Sequence, residues 1–308
     1  MLDRSLAERR CLAGWCHQPN FSVVDMSEGT NDRAIMFGAE ESLIGIVTQP
    51  VLTPSGERPA IVILNTGIAY RIGHNRMYVA LARTLAEAGH TVLRFDMSGI
   101  GDSDNRNDEL APLAANLADI RDAIDWLSAT LRVRRVILVG LCSGADHAIL
   151  FAGSDCRVAG VVLIDLNLPP YGRSYWRLVL RQRTWTNFFK GEGLFWSFLR
   201  RKVVRTIEIT GEDEGGITGE DQWQNPITSS QLLHAFQESA KVGIHMLAIC
   251  TGGNWDQHKV LINLVKRKGN ERLIRLEYFD RCDHTFTFEA DRTRLSNVMM
   301  EWIRETGV

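Results

Sequence analysis

The sequence has no long uninterrupted apolar run. Across its 308 residues, 45% of which are hydrophobic, no apolar stretch reaches the length of a membrane-spanning helix, which is about 18 residues or more. The N-terminus carries Asp3, Arg4, Glu8, Arg9 and Arg10 and lacks the apolar core of a secretory signal peptide. We therefore expect no transmembrane segment and a cytoplasmic location.

An excess of charge of one sign is also missing, and cysteine is scarce. Lysine and arginine together number 35 against 37 acidic residues, and a net charge of -2 gives no reason to expect a nucleic-acid partner. The six cysteines are too scattered for a disulfide framework and fit a reducing compartment. Cys11, Cys16 and His17 lie close together, but no second ligand pair follows at zinc spacing, so no metal site is predicted. No cofactor is predicted, and the oligomeric state stays open, a dimer included.

Short apolar runs alternate with helical patterns from Ala60 onward. This order predicts an α/β fold with a mostly parallel central sheet and helices on both faces. Two antiparallel strands are expected before it, at residues 33–37 and 42–49. The later predicted strands are residues 60–64, 91–95, 136–139, 158–166, 244–250 and 273–279, and the main predicted helices are residues 77–88, 113–131, 229–240, 257–268 and 292–305.

The alternation breaks between residues 169 and 239, where no convincing buried strand occurs. A connection this long is typically functional, and we expect a mostly helical cap inserted into a core domain formed by residues 1–168 and 240–308. Trp185 and Trp196 are predicted to line an acyl pocket; alternatively, the aromatics only pack the cap onto the core. The large aromatics are Tyr175, Trp176, Trp185, Phe188, Phe189, Phe195, Trp196 and Phe198.

A nucleophile elbow is indicated by the stretch Gly140-x-Cys142-x-Gly144, which joins an apolar strand pattern to a helical one. The backbone at the central residue of such a turn is strained, so small residues are needed two positions before and after it. Centring the turn on Ser143 would place Leu141 at a position too tight for leucine, which favours Cys142 as the nucleophile. The alternative is that Cys142 is simply a buried core thiol.

A histidine and an acid should complete the site in the chain order nucleophile, acid, histidine. His284 follows the last predicted strand and is the expected base, with His74 as its rival. Asp256 is the preferred acid, although it would also serve as a helix N-cap. Asp165, at the end of an earlier strand, is the alternative acid.

Backbone N–H groups near the elbow should bind the oxyanion. We expect one from Ser143, at the start of the elbow helix, and one from Gly67 or Ile68 after the first parallel strand. Arg71 and His74, further along that loop, are predicted to contact substrate. Gly99-Ile100-Gly101 lacks the third glycine of a dinucleotide-binding loop and is interpreted as a turn.

These motifs resemble those of α/β-hydrolase-fold proteins over residues 60–166 and 244–305. Within that superfamily the chain is most similar to bacterial hydrolases associated with exosortase and exopolysaccharide systems. That closer resemblance brings no known substrate; it implies that the insertion stands where the superfamily has its cap. The motifs are Leu93-Arg94-Phe95-Asp96, Gly99-x-Gly101-Asp102-Ser103, the elbow, Asp283-His284-Thr285-Phe286 and, for the closer resemblance, Tyr70 to Arg76 with Gly140-Leu141-Cys142.

A cysteine nucleophile bears on the reaction, because its acyl-enzyme is a thioester. Exchange with a carrier thioester is then nearly balanced in free energy, and the thiolate is favoured by a helix N-terminus and a histidine. The sequence predicts a hydrolase acting on a small or carrier-bound ester or thioester through Cys142, His284 and Asp256. Two alternatives are an acyltransferase with an amine or hydroxyl acceptor, and an inert hydrolase fold used as a binding module.

Overall fold

The computed structural model describes residues 24–25, 32–51, 58–168, 227–268 and 272–308. Residues 169–226 of the predicted cap, with Trp185 and Trp196, lie outside the described residues, as do Cys11, Cys16 and His17. Among the helices in the described ranges, none combines the length and the apolar character needed to cross a membrane.

A nine-stranded sheet forms the centre of the described structure, in the order β1-β2-β3-β5-β4-β6-β7-β8-β9. The pairs among β1, β2, β3 and β5 are antiparallel, and all the others are parallel. The predicted mostly parallel α/β fold is confirmed. The strands are β1 Val24–Asp25, β2 Asp32–Phe37, β3 Leu43–Thr48, β4 Ala60–Ile63, β5 Val92–Phe95, β6 Val136–Leu141, β7 Val158–Ile164, β8 His245–Thr251 and β9 Ile274–Phe279.

Six α-helices in the described ranges cover both faces of this sheet. Alternate residues of a strand point to opposite faces, so in β6 Leu138 packs into one core cluster and Val139 into the other. The first cluster contains buried residues of α2 to α5, and the second those of α1 and α6. The helices are α1 Met77–Glu87, α2 Pro112–Leu131, α3 Ser143–Ala152, α4 Ser229–Lys241, α5 Trp255–Lys268 and α6 Glu289–Thr306.

The predicted insertion extends too far at its C-terminal boundary. The chain divides into one unit of Met1–Leu168 with Ile227–Val308 and another of Pro169–Pro226, so α4 belongs with the core instead of ending the insertion at residue 239. Leu232, Phe236 and Ala240 recur at helical spacing and are buried in the first core cluster. That apolar stripe is what packs α4 onto the core domain.

Candidate active site

The elbow glycines are sterically required. A Cβ on Gly140 would overlap the backbone of Gly144, and one on Gly144 would lie 2.5 Å from the Asn65 carbonyl oxygen. Cys142 between them has φ 56° and ψ -118°, a strained region for a residue with a side chain. Gly140, Cys142 and Gly144 therefore have the local geometry that the sequence predicts for a nucleophile elbow.

Cys142 and Ser143 have different surroundings. The Cys142 thiol lies in the same cleft as His284, which lowers its pKa, whereas the Ser143 hydroxyl accepts the Gly67 N–H at 2.7 Å. In this arrangement the Gly67 N–H, a predicted oxyanion donor, is occupied by a side chain of the elbow itself.

Asp165 is the carboxylate that contacts His284. Its Oδ2 lies 2.7 Å from His284 Nδ1, and its side chain is only 1% exposed. Thr251, at the end of the neighbouring strand β8, donates its N–H to Oδ1 at 2.8 Å and its hydroxyl to Oδ2 at 2.7 Å. Because Nδ1 is engaged by Asp165, the other ring nitrogen of His284 is the one left for the Cys142 thiol.

Of the two predicted acids, Asp165 and not the preferred Asp256 is the one that the structure places against His284. Asp256 lies in the first turn of α5, with 42% of its side chain exposed and its Oδ1 3.8 Å from Lys259 Nζ. An acidic residue in the first turn of a helix is favoured by the helix dipole, so the position has a structural explanation. The rival base His74 lies in a 3-10 turn, His74–Arg76, and it is His284 that contacts the thiol.

The three groups reinforce one another electrostatically. The hydrogen bond to His284 lowers the pKa of Cys142 against the opposing effect of burial. The hydrogen bond to Asp165, with that to Cys142, raises the pKa of His284 to about 10. Burial opposes ionisation of Asp165, but hydrogen bonds from His284 and Thr251 outweigh it and lower its pKa. Both shifts favour the charged forms, a thiolate on Cys142 and an imidazolium on His284.

Two other free thiols in the described residues lack this activation. Burial raises the pKa of both Cys250 and Cys282 to about 12. A buried thiol without a cationic partner is inert. Among these three cysteines, Cys142 alone has the surroundings of a reactive thiol.

Arg71 is held by two carboxylates of the protein. Its guanidinium forms ion pairs with Asp96 and, at 2.6 Å, with Asp102, and its backbone N–H donates to Asp96. Two carboxylates thus hold the guanidinium in place, and a contact between Arg71 and substrate stays a prediction. The next part of the loop approaches the site through Asn75, whose amide lies 3.3 Å from the Thr285 carbonyl.

A cleft of about 530 Å³ opens at the Cys142 side chain. Two of its side chains, Asn167 and Thr251, were not predicted from the sequence. Both lie within three residues of a strand end at the carboxyl edge of the sheet, which is the one sequence signal that could have found them. The lining residues are Cys142, Asp165, Asn167, Thr251, Gly253, Asn254, Gln257, Asp283 and His284.

Comparisons with known proteins agree with this architecture. Residues 59–209 match the family described as alpha/beta hydrolase fold. In sequence, the chain is 29% identical over 127 residues to the polyketide transferase grgF of Penicillium sp., a match that covers 40% of this chain and 42% of the transferase. The chain thus spans less than half the length of that curated relative.

Solved structures show the same fold at low sequence identity. The esterase Pf2001 of Pyrococcus furiosus matches with a TM-score of 0.55 and 14% identity, covering 94% of this chain and 91% of its own. XC6422 of Xanthomonas campestris, an α/β serine hydrolase without lid, matches with a TM-score of 0.53 and 16% identity, covering 91% and 97%. Dienelactone hydrolase of Anabaena variabilis matches with a TM-score of 0.52 and 15% identity, covering 94% and 99%. The protein has the α/β-hydrolase fold.

Proposed function

We propose that this protein is an acyl-enzyme-forming hydrolase of esters or thioesters in which Cys142 is the nucleophile, His284 the base and Asp165 the acid. The observation that carries the proposal is that Cys142, His284 and Asp165 line one cleft, where His284 Nδ1 lies 2.7 Å from Asp165 Oδ2 and His284 lowers the pKa of the Cys142 thiol. Cys142 lies in a strained elbow at the carboxyl edge of the sheet, where ligands of open α/β sheets bind. The closer likeness to exosortase-associated hydrolases stays a prediction from the motifs.

The reaction follows from the protonation states. The Cys142 thiolate attacks the acyl carbon, forming a C–S bond and moving the carbonyl electrons onto oxygen. As the carbonyl re-forms, the bond to the leaving alkoxide or thiolate breaks, and His284 donates its proton to that group. Neutral His284 then takes a proton from water, whose oxygen attacks the thioester carbon. Collapse of this second intermediate releases the acid, the Cys142 thiolate and a protonated His284.

Stabilisation of the oxyanion is assigned to backbone N–H groups. Ser143 supplies one donor directly from the start of α3, where the helix dipole adds to its effect. The second donor comes from Gly67 or Ile68. For Gly67 to serve, its N–H must leave the Ser143 hydroxyl. Substrate binding would then replace that hydroxyl with the substrate oxygen as the acceptor of the Gly67 N–H.

An acyltransferase is the second candidate. Its support is the sequence similarity to a protein described as a polyketide transferase, together with an acyl-cysteine that amines attack readily. Both reactions share the first half and differ only in whether water or another nucleophile reaches the acyl-enzyme. Asp165 would have the same role in either reaction, because it orients the same histidine.

Intact-mass spectrometry after incubation with a panel of activated acyl thioesters tests the proposal. The wild-type protein should gain the mass of one acyl group, and Cys142→Ala should gain none. An adduct that persists in Cys142→Ala, or that maps to Ser143, would overturn the assignment. Absence of any adduct or turnover with every thioester and ester would favour the inert binding module.

Adding amine and alcohol acceptors separates the two candidate reactions. A hydrolase should release free acid at the same rate with and without acceptor. An acyltransferase should produce the acylated acceptor and turn over slowly in water alone.

A further inference from the structure

We propose that Asn167 is a second hydrogen-bond donor to the Cys142 sulfur and that the buried Asp146 is the positioning residue that holds it there. This inference rests on the proposed function, since it concerns the same nucleophile. It adds a second carboxylate-anchored contact to the site, on residues to which the triad gives no role. The sulfur would then be held between His284, anchored by Asp165, and Asn167, anchored by Asp146.

The contacts that carry the inference involve both amide groups of Asn167. Its backbone N–H donates to Asp146 Oδ1 at 3.0 Å, and its side-chain Nδ2 donates to Asp146 Oδ2 at 2.7 Å. The same Nδ2 lies 3.7 Å from Cys142 Sγ, within reach for a hydrogen bond to sulfur. Asp146 belongs to the first turn of α3, and Asn167 comes three residues after the end of β7.

Asp146 determines which way the Asn167 amide faces. Each oxygen of the Asp146 carboxylate accepts one bond from Asn167, so the side-chain atom next to Oδ2 must be the donor nitrogen. An amide nitrogen carries two hydrogens, and the second is available to the sulfur. A flipped amide would place its oxygen against Asp146, where two acceptors would repel each other.

The burial of Asp146 explains why it is paired with Asn167. Asp146 is only 5% exposed, and burial raises its pKa while the two bonds from Asn167 oppose that shift. A buried carboxylate is retained only where its acceptors are satisfied. In the described residues, Asn167 provides the hydrogen bonds that the structure shows to this carboxylate. The same two groups therefore depend on each other, and the outcome is a fixed N–H beside the nucleophile.

The chemical consequence concerns charge on sulfur. Charge is present on Cys142 before acylation and again when the thiolate leaves during deacylation. A donor that does not titrate stabilises it at both stages, whatever the protonation state of His284. The titratable groups around Cys142 are His284, Asp165, Asp146, Asp283 and Tyr78, and Asn167 adds to them a donor that does not titrate.

The pH dependence of Cys142 alkylation by iodoacetamide tests this without knowledge of the substrate. In Asn167→Ala, the midpoint pH should rise by about one unit, and the alkylation rate below the midpoint should fall roughly tenfold. Asn167→Asp keeps the size but replaces the donor with a charge, and should raise the midpoint further. The matched control is Asn263→Ala, because the Asn263 amide donates only to its own helix, at Lys259 O; its midpoint should not move.

Asp146→Asn distinguishes a positioning role from a general structural one. If Asp146 acts through Asn167, the midpoint pH of alkylation should rise in Asp146→Asn. The double variant Asp146→Asn/Asn167→Ala should then have the same midpoint as Asn167→Ala alone. An unchanged midpoint in Asn167→Ala and Asn167→Asp would overturn the inference. The proposed function fails by a different result, an acyl adduct in Cys142→Ala, so the two failures are separable.

Discussion

Two buried aspartates follow parallel strands at the same edge of the sheet and have different partners. Asp165 comes after β7 and Asp96 after β5, and both are at most 2% exposed. Asp165 receives His284 and both donors of Thr251. Asp96 receives the guanidinium and backbone N–H of Arg71, with further donors from Asn65 and Asp102.

The difference between them lies in the partner. Arginine keeps its charge at every accessible pH, so the Asp96–Arg71 pair is fixed and holds the loop after β4 against the turn after β5. Histidine changes charge in the range where enzymes work, and His284 also contacts a thiol. One aspartate thus stabilises a loop, and the other tunes a group that can accept and release a proton.

Asp165→Asn should produce the largest effect on acylation. The substituted amide would turn a donor or a neutral oxygen toward His284 Nδ1, so the tautomer and the imidazolium lose their support. We expect acylation by an activated thioester to slow by about 10²- to 10⁴-fold, measured by stopped-flow or quenched mass spectrometry. The free energy of unfolding should change much less, because the substitution keeps the shape of the side chain.

Asp96→Asn should have the opposite profile, with a loss of stability and little effect on acylation. It leaves a largely buried Arg71 without its main ion-pair partner, and removing one member of a buried pair costs about 3–5 kcal/mol; the partial exposure of Arg71 places this case at or below the low end. Urea unfolding should show this loss, while the folded fraction should still acylate at a rate near wild type. Loss of acylation with unchanged stability would mean that Asp96, too, belongs to the catalytic machinery.

The sequence was sufficient for the elbow, because its reason is local. Only glycine fits at positions 140 and 144 once residue 142 has a positive φ, and that constraint is visible in five consecutive residues. The alternation of strands and helices was equally readable, since both faces of the parallel strands are buried. His284 followed from its place after the last strand.

The sequence could not predict in the same way which aspartate contacts His284 or which residues Arg71 pairs with. Asp165 and Asp256 are both close to strand ends, and what separates them is the pair of Thr251 donors that meets Asp165 across two neighbouring strands. Arg71 pairs with Asp96, 25 positions later in the chain. The turn after Asp96 also packs closely against its carboxylate, because a Cβ on Gly101 would overlap it. The contacts of Asp165 with Thr251 and of Arg71 with Asp96 are long-range and leave no periodic signal in the sequence.

Ser143→Ala should slow acylation less than Asp165→Asn does. Alanine retains the backbone N–H assigned to the oxyanion and removes only the hydroxyl that occupies Gly67. Acylation should therefore change by less than the roughly 10²- to 10³-fold expected when an oxyanion donor is lost. The adduct should remain on Cys142, as peptide mapping after proteolysis would show; an adduct lost altogether would return the nucleophile role to Ser143.

Asp256→Asn should have the smallest effect, and it sharpens the comparison by adding a third aspartate near a strand end. Its side chain is 42% exposed, and its contact with Lys259 Nζ is 3.8 Å long. An exposed pair and a first-turn acid at a helix N-terminus are together worth about 1 kcal/mol or less. We expect urea unfolding to register at most that loss, and acylation to stay within about twofold of wild type because Asp165 still orients His284. Asp256→Ala, measured in parallel, controls for any new contact that the asparagine makes. If either variant slowed acylation as much as Asp165→Asn, the acid role would return to Asp256, and the two buried aspartates would no longer differ in function.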